Sequence, residues 1–552
     1  MKKSASFGIV LTFIGIFLIQ IVASNFSWRL DLTADKRYSL SETTIEFLES
    51  INQPIRIDVF LNGKLPQGYQ RLRAETEVVL QSISAKNKRF YYEFINPFSG
   101  VEDSDELLSE MNQYGLFPEL VLERENQGVE QSYVFPWLMI NYGDRTVRVS
   151  LLQKNIGDTP EKRILQSIQQ LEFVIMDGLY KILLQEKKKI AILSSHETSK
   201  DILVTNFLQD LLPYYNLAAF DLKTFPEQSE KTLENLNRFD LLLISNPKEV
   251  FNNTEKFILD QYIQQGGNGM FLIDPVLVEP DSLYSRSGKT VSYGNLLELD
   301  DLLFKFGVRF RKELVKDLYS APIVLAQGVQ NNSQYNPFPW PYTPLAVPNQ
   351  NHPIGSAVGS VLFQFGSPID TLKNDIKKTI LIESSSFSKI EGIPSIISLS
   401  SATKLLDPSS FKSPKQTLGV LLEGKFTSLY KNRITPFETK KDTSQNARIA
   451  VFGDGNLIEN QIDKGKPLEL GYDKWTNNFY SNKQFIKNTV HYLVNDNAFL
   501  NLRSKEINIA MLDDKKIKNN GYFWRYFSVI TPLIILLIMG LIFNSYRLNS
   551  YR

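Results

Sequence analysis

The chain has 552 residues, with 61 Lys and Arg against 60 Asp and Glu, 43% hydrophobic residues and no cysteine. That length exceeds what one hydrophobic core serves, so two or three domains are expected. The near-zero net charge gives no electrostatic footprint for nucleic acid, and the lack of cysteine excludes disulfides, thiolate catalysis and Cys-ligated zinc.

The first segment, 1–24, contains a run without charge at 7–23 behind Lys2 and Lys3. Its length reaches the lower limit for a spanning helix, so it reads as an anchor; a signal peptide cleaved near Ala23 is the alternative. Arg29-Leu-Asp-Leu-Thr33 and Arg37-Tyr-Ser-Leu-Ser41 then lead into a helix, with Ser39 as its N-cap and Glu42 three residues on. Leu30, Leu32, Tyr38 and Leu40 share a spacing that places them on one face of an extended segment. Asp31, Asp35, Lys36 and Arg37 are then free to face water or a partner. The stretch is either a linker pinned to its own first domain or a docking strip in which Asp31, Arg37 and Tyr38 meet a partner.

Alternation and helical spacing next predict a strand at 55–61, a helix at 69–83, a strand at 90–95 and a helix at 105–114. Four short strands between 120 and 151 and a long helix at 160–184 follow, the helix opened by Thr159 and Pro160. This βαβα-ββ-α order, over 25–186, is that of a thioredoxin-like domain. Without Cys-x-x-Cys it has no thiol redox role.

From 187 to 504 the pattern changes. Near-continuous apolar strands at 190–193, 218–222, 241–244 and 270–273 alternate with helices at 202–212, 233–236, 254–265 and 295–306. Such alternation predicts a larger, doubly wound parallel sheet covered on both faces. An insertion at 308–446, rich in Pro, Ser and Asn, interrupts it. Within it, Tyr335-Asn-Pro-Phe-Pro-Trp-Pro-Tyr342 reads as a rigid, partly buried loop, and short strands are expected at 323–326, 379–382 and 418–422. The sheet resumes at 449–452, and 482–494 is a last helix. A charged tether, 505–521, leads to a second spanning helix within 522–546. Tyr522, Trp524, Tyr526 and Tyr546 flank its apolar core like an interfacial aromatic belt. Two transmembrane helices thus bracket the α/β fold. Lys2 and Lys3 favour an inside N-terminus, which places the bulk of the chain outside the cytoplasm.

No Walker A sequence occurs, and Gly266-Gly-Asn-Gly269 follows a helix and enters a strand, the reverse of a dinucleotide fingerprint. In a doubly wound sheet, ligands bind beyond the carboxyl ends of the strands. Those ends carry Ser195, His196, Glu197, Asn246, Asp274, Asp454 and Asn456. His196, Glu197, Asn246, Asp274, Asp454 and Asn456 form a candidate ligand pocket. Ser195 with His196 and a carboxylate suggests acyl transfer, but adjacent side chains diverge and no G-x-S-x-G elbow is present, so no catalytic residue is assigned. Three scattered histidines make no metal site, and no cofactor is implied. Trp340 could stack on a sugar or grip a partner chain.

Together with the exit motif, Asn96-Pro97, Phe239-Asp-Leu-Leu-Leu-Ile-Ser-Asn-Pro247, Gln265-Gly-Gly267, Ile273-Asp-Pro275, Ala450-Val-Phe-Gly-Asp-Gly455 and the C-terminal span carry a resemblance over essentially the whole length. The chain resembles the gliding-motility-associated ABC transporter auxiliary (GldG) family of Bacteroidota. The resemblance implies an inner-membrane partner of an ABC permease subunit and a separate ATPase subunit, supporting surface gliding. It also implies a class I glutamine-amidotransferase-like second domain without catalysis. Relatives often carry a Gly-His-Gly-Glu-like turn after the first strand of that domain; here it is Ser194-Ser-His-Glu197, without the glycines. The function expected is therefore a non-catalytic, extracytoplasmic auxiliary subunit. A membrane-anchored glycan- or peptide-binding receptor is the alternative, and a tethered hydrolase requires Ser195, His196 and a carboxylate within hydrogen-bond reach.

Overall fold

In the computed structural model the described residues are 39–100, 104–125, 128–153, 159–184, 186–225, 228–327, 334–356, 358–438, 440–494 and 514–550. The first apolar run and Asp31, Arg37 and Tyr38 lie outside them. Residues 1–506 form one compact unit and 507–552 a second.

The opening helix α1 (Glu42–Glu49) is capped by Ser41, not Ser39: the Ser41 hydroxyl accepts the Thr44 N–H at 3.2 Å. Glu42 is its first residue, so it cannot complete a capping box. Glu172 does so from far along the chain. Its Oε1 accepts the Ser41 N–H at 2.8 Å and the Thr44 hydroxyl at 2.8 Å. Both Thr44 and Glu172 are buried, so a tertiary contact does what local spacing was expected to do.

Behind α1 come β1 (Ile55–Val59), α2 (Gln67–Lys86), β2 (Phe90–Phe94) and α3 (Ser104–Gln113). A free-standing hairpin β3 (Glu119–Glu125) and β4 (Gly128–Val134) follows, then β5 (Trp137–Tyr142) and β6 (Arg145–Ser150). The first sheet has the order β2-β1-β5-β6, with β1 parallel to β2 and antiparallel to β5, and β5 antiparallel to β6. Helix α2 turns Leu72, Thr76, Leu80 and Ile83 inward, the i, i+4 spacing that makes one buried stripe. The helix expected at 160–184 is two: α4 (Pro160–Gln169), capped by the Thr159 hydroxyl, and α5 (Leu171–Leu183). Gln170, at φ −102° and ψ 4°, leaves the helical region between them.

The second sheet starts with β7 (Lys189–Leu193), α6 (Asp201–Leu211), β8 (Asn216–Phe220), α7 (Ser229–Leu236), β9 (Leu241–Ser245), α8 (Asn253–Gln264) and β10 (Asn268–Leu272). Its other half comes from the region read as an insertion: β11 (Ser320–Gln327), β12 (Gln334–Pro348), β13 (Lys377–Glu383) and β14 (Thr417–Thr427), followed by β15 (Thr443–Phe452). The order is β11-β12-β13-β14-β15-β10-β9-β7-β8. Strands β8, β7, β9, β10 and β15 are mutually parallel, and β11 to β15 pair antiparallel in sequence. The central β9 is buried at every position, as a sheet covered on both faces requires. Residues 335–342 are thus strand, not loop. Pro337 and Pro339 lie at alternate positions opposite Val324 and Pro322 of β11, and the fixed φ of proline suits an extended chain.

Helix α9 (Asn482–Leu493) covers one face of this sheet with Phe485, Ile486, Val490 and Leu493. The two sheets meet at α5, where Asp177 accepts the Tyr214 hydroxyl at 2.6 Å and pairs with Lys181 at 2.7 Å.

In the second unit, α10 (Asp514–Ser550) includes the end of the expected tether. Within it, Arg525–Tyr546 is long and apolar enough to cross a membrane, and its apolar side chains are exposed throughout. Pro532 lies inside this helix, as spanning helices tolerate.

Candidate functional site

The chain winds from β7 to β8 at one edge of the sheet and then returns to place β9 on the other side of β7. Ligands of open α/β sheets enter the crevice at such a reversal. Here the crevice is closed by the chain itself. The His196 carbonyl accepts the N–H groups of Lys248 and Glu249 at 2.8 and 3.2 Å, and the Ser199 N–H reaches the Ser245 carbonyl at 3.2 Å.

Beside it, the ends of β9, β10 and β15 bring together four of the six residues expected in a pocket. Asp274 accepts the Gly455 N–H at 2.6 Å and the Asn456 amide at 3.4 Å. Asp454 accepts the Gln364 N–H at 2.6 Å and the Asn456 N–H at 2.8 Å. The Asn246 amide donates to Asn456 Oδ1 at 2.8 Å and more weakly to Glu459 at 3.5 Å, and Ser199 donates to the same Glu459 oxygen at 2.7 Å. Backbone geometry permits this only with glycine on both sides of Asp454. A Cβ on Gly453 would stand 2.0 Å from the Ser367 carbonyl oxygen, and one on Gly455 2.8 Å from the Asn246 Cβ.

Two like charges this deep oppose each other. Burial pushes the Asp274 carboxyl up to about 7, against the Gly455 N–H, which favours the charged form. Burial first, and then the neighbouring Asp274 charge, also raise Asp454 well above its ordinary range. The pair therefore keeps a proton at neutral pH.

His196 and Glu197, the remaining two, stand apart from this cluster. Both have left-handed backbones, at φ 65° and 48°. That twist overturns the expectation that adjacent side chains diverge. Ser195 Oγ lies 2.9 Å from His196 Nδ1, and His196 Nε2 lies 3.1 Å from Glu255 Oε2. Phe251 stacks on the imidazole at 3.9 Å. Burial opposes ionisation of Glu255, but hydrogen bonds from His196 and the Asn252 N–H outweigh it and hold the carboxyl below its ordinary range. Glu255 is also the third residue of a complete capping box with Asn252 at the start of α8. The trio has the connectivity of an acyl-transfer triad, yet Ser195, His196 and Glu255 are 8%, 1% and 5% exposed. It joins a turn to a helix start, with the imidazole buried beneath Phe251. Glu197 points its exposed residue to solvent.

Trp340 is 2% exposed and packs on Tyr342 at 5.0 Å, so its ring is not open to a partner. Residues missed from sequence are Glu255, Gln364, Glu459 and Asn295. The Asn295 amide bonds the Pro247 and Asp274 carbonyls at 3.3 and 3.0 Å, where a helix was expected; that helix starts at Asp300. Only Glu255 had a legible signal, the Asn-x-x-Glu spacing of a capping box. Among the described residues no cluster of His, Asp and Glu is placed to hold a metal ion.

These features sit in a region that matches a known family. The profile described as an ABC-type uncharacterized transport system matches residues 187–489, more than half of the chain. The chain belongs to this family, and with it to the auxiliary components of a transport system. The apolar helix within α10 agrees with association with a membrane. A profile for a domain of unknown function matches residues 34–141. An uncharacterized protein of Borreliella burgdorferi is 22% identical over 558 residues, covering 100% of this chain and 99% of the relative. Among solved structures, the mmIFT52 N-terminal domain aligns with 56% of this chain and 98% of its own at 12% identity and a TM-score of 0.33.

Proposed function

We propose that the chain is a non-catalytic, membrane-anchored, extracytoplasmic auxiliary subunit that couples its folded body to an ABC permease subunit and a separate ATPase subunit. The observation that carries this reading is the family match over 187–489, joined in one chain to a helix fit to span a membrane. The sequence holds no nucleotide-binding motif with which this chain could itself hydrolyse ATP. The proposal takes both apolar runs as spans of the inner membrane and the bulk of the chain as periplasmic.

In this reading 25–186 is a thioredoxin-like scaffold, in keeping with the strand order β2-β1-β5-β6 and its directions. Residues 187–504 are an amidotransferase-like domain whose parallel half has a filled crevice in place of a site. The exit stretch acts as the docking strip; the Glu172 contact, which fixes the helix directly after it, supports a set angle rather than a loose linker. Gliding motility as the process served rests on the resemblance of the exit motif and strand ends. The test is affinity purification of the full chain from its native membranes in mild detergent. A permease and an ATPase should copurify in fixed ratio, and recovery of the intact chain alone overturns the proposal.

A further inference from the structure

Away from the carboxyl cluster, a groove of about 560 Å³ opens between β11, the loop carrying Gln364 and the segment 460–480. This volume is within the range of small-ligand sites, about 300–1,000 Å³. On one side stands Trp475, at the turn of a small hairpin of Tyr472–Asp473 and Asn478–Phe479, 60% exposed. Tyr284, 65% exposed, also lines the groove. Large exposed aromatic rings at a concave site are costly in water and serve recognition more often than folding.

The hairpin is built to hold Trp475 out. Asp473, 8% exposed, accepts the Trp475 N–H and the Gln461 amide, each at 3.2 Å, and also the Thr476 hydroxyl. Tyr335 stacks against the indole at 6.2 Å and 25°. Lys474 lies 5.2 Å from the ring centroid, tied to the Ile462 carbonyl at 2.7 Å and facing Asp463 at 3.6 Å. Its flexible stem is the cover that a ligand would displace.

Among the described residues lining the groove, the charged ones, Asp473 and Lys474, are thus engaged within the chain, which does not favour a phosphate or carboxylate. Neutral groups remain. Among the described residues, the Gln364 side-chain amide, the Tyr284 hydroxyl and the Trp475 indole N–H make no hydrogen bond to another protein group, and all three residues are exposed at the groove. An aromatic face with a negative quadrupole attracts polarised C–H groups, and uncharged donors and acceptors beside it fix orientation. A pyranose ring presents both complements at once, a face of C–H groups and a rim of hydroxyls. We propose that this groove binds a neutral saccharide, stacked on Trp475 and oriented by Gln364 and Tyr284. The site is independent of any partnership with a permease.

The experiment uses the full chain in a zwitterionic detergent free of sugar head groups. Cellohexaose, maltohexaose and chitohexaose are the probes, with hexaproline as the peptide counterpart. Binding is read by saturation-transfer NMR and tryptophan emission. At least one saccharide should bind, and Trp475→Ala should weaken it by about tenfold or more, about 1.4 kcal/mol. Trp475→Phe should recover part of the loss. Gln364→Ala, at a residue that gives only its backbone N–H to the carboxyl cluster, should weaken binding while the melting temperature stays unchanged. Failure of all three sugars to bind at about 10 mM, about tenfold above a millimolar Kd, overturns the proposal. So does binding indifferent to Trp475→Ala and Gln364→Ala, or hexaproline binding that depends on Trp475 in place of the sugars. A complex with permease and ATPase that forms normally in Trp475→Ala leaves the auxiliary reading standing whatever the sugar result.

Discussion

Two networks lie side by side at the carboxyl ends of one sheet, and they are built on opposite principles. Ser195, His196 and Glu255 pair complementary groups: each ring nitrogen of the imidazole has a partner, and the carboxylate also caps a helix. Asp274 and Asp454 bury two like groups, each relieved by backbone N–H donors and by Asn456. The first lowers the energy of the charged carboxylate; the second raises it. The lesson is that the network resembling catalytic machinery is the one that behaves as a brace. The one resembling a strand-end turn is the one under electrostatic load, and perturbed carboxyls of that kind cluster at functional positions.

The comparison breaks most completely if the close backbone approach is removed. Gly453→Ala forces a methyl group to 2.0 Å from a backbone oxygen that cannot swing aside. Gly455→Ala meets Asn246 at 2.8 Å. Each should cost about 3 kcal/mol or more, with Gly453→Ala the larger, measured by unfolding of the full chain in detergent. A silent Gly455→Ala would mean that the cluster is looser than its hydrogen bonds imply.

Next in size is Glu255→Ala, which removes a helix cap and leaves a sealed imidazole without its acceptor. The expected cost is about 2–4 kcal/mol. Because the folded carboxyl ionises below its ordinary range, its contribution is complete at neutral pH. It is lost as pH falls through the folded value. The wild-type advantage over Glu255→Ala should therefore shrink only in acid. An advantage that instead shrinks on going alkaline would contradict the pairing.

What could be read in advance follows from the reach of each signal. Strand ends were legible because continuous apolar runs stop at a polar residue, and so Asn246, Asp274, Asp454 and Asn456 could be named together. Gln364 and Glu459 were not, because they enter from loops whose path depends on packing of β12 and β15. The Ser195–His196 contact is not legible in the sequence, because side chains alternate only on an extended backbone and His196 is left-handed. The proline-rich 335–342 misled in the other direction. Proline is read as a breaker, but on alternate residues its fixed φ is compatible with a strand. The cap at Ser41 was displaced because its carboxylate arrives from α5, which no local window contains.

Asp274→Asn sharpens the contrast through its pH dependence. A carboxyl whose folded value is raised to about 7 contributes most where it is protonated in both states, and that contribution is lost as pH climbs through about 7. Asparagine keeps an acceptor for the Gly455 N–H and cannot ionise. The variant should be more stable than wild type at about pH 8, with the difference vanishing or reversing at about pH 5. Urea midpoints of the full chain at the two pH values test this; a parallel shift at both would show that Asp274 carries no buried charge.

The smallest expected effect falls on Ser195. Its hydroxyl bonds His196 Nδ1 at 2.9 Å and receives the Leu222 N–H at 3.4 Å. Ser195→Ala removes a hydroxyl that is replaceable as packing but leaves two polar groups short of a partner, a cost of about 1 kcal/mol. A nucleophile makes a different forecast. An activated serine reacts with a fluorophosphonate whether or not its substrate is known, and mutation of the base abolishes that reaction. The burial of Ser195, His196 and Glu255, with Phe251 against the ring, leaves the phosphorus no path to the hydroxyl. The wild-type chain should remain unlabelled under conditions that label an ordinary serine hydrolase fully. Labelling at Ser195 would make this trio an active site after all and invert the comparison.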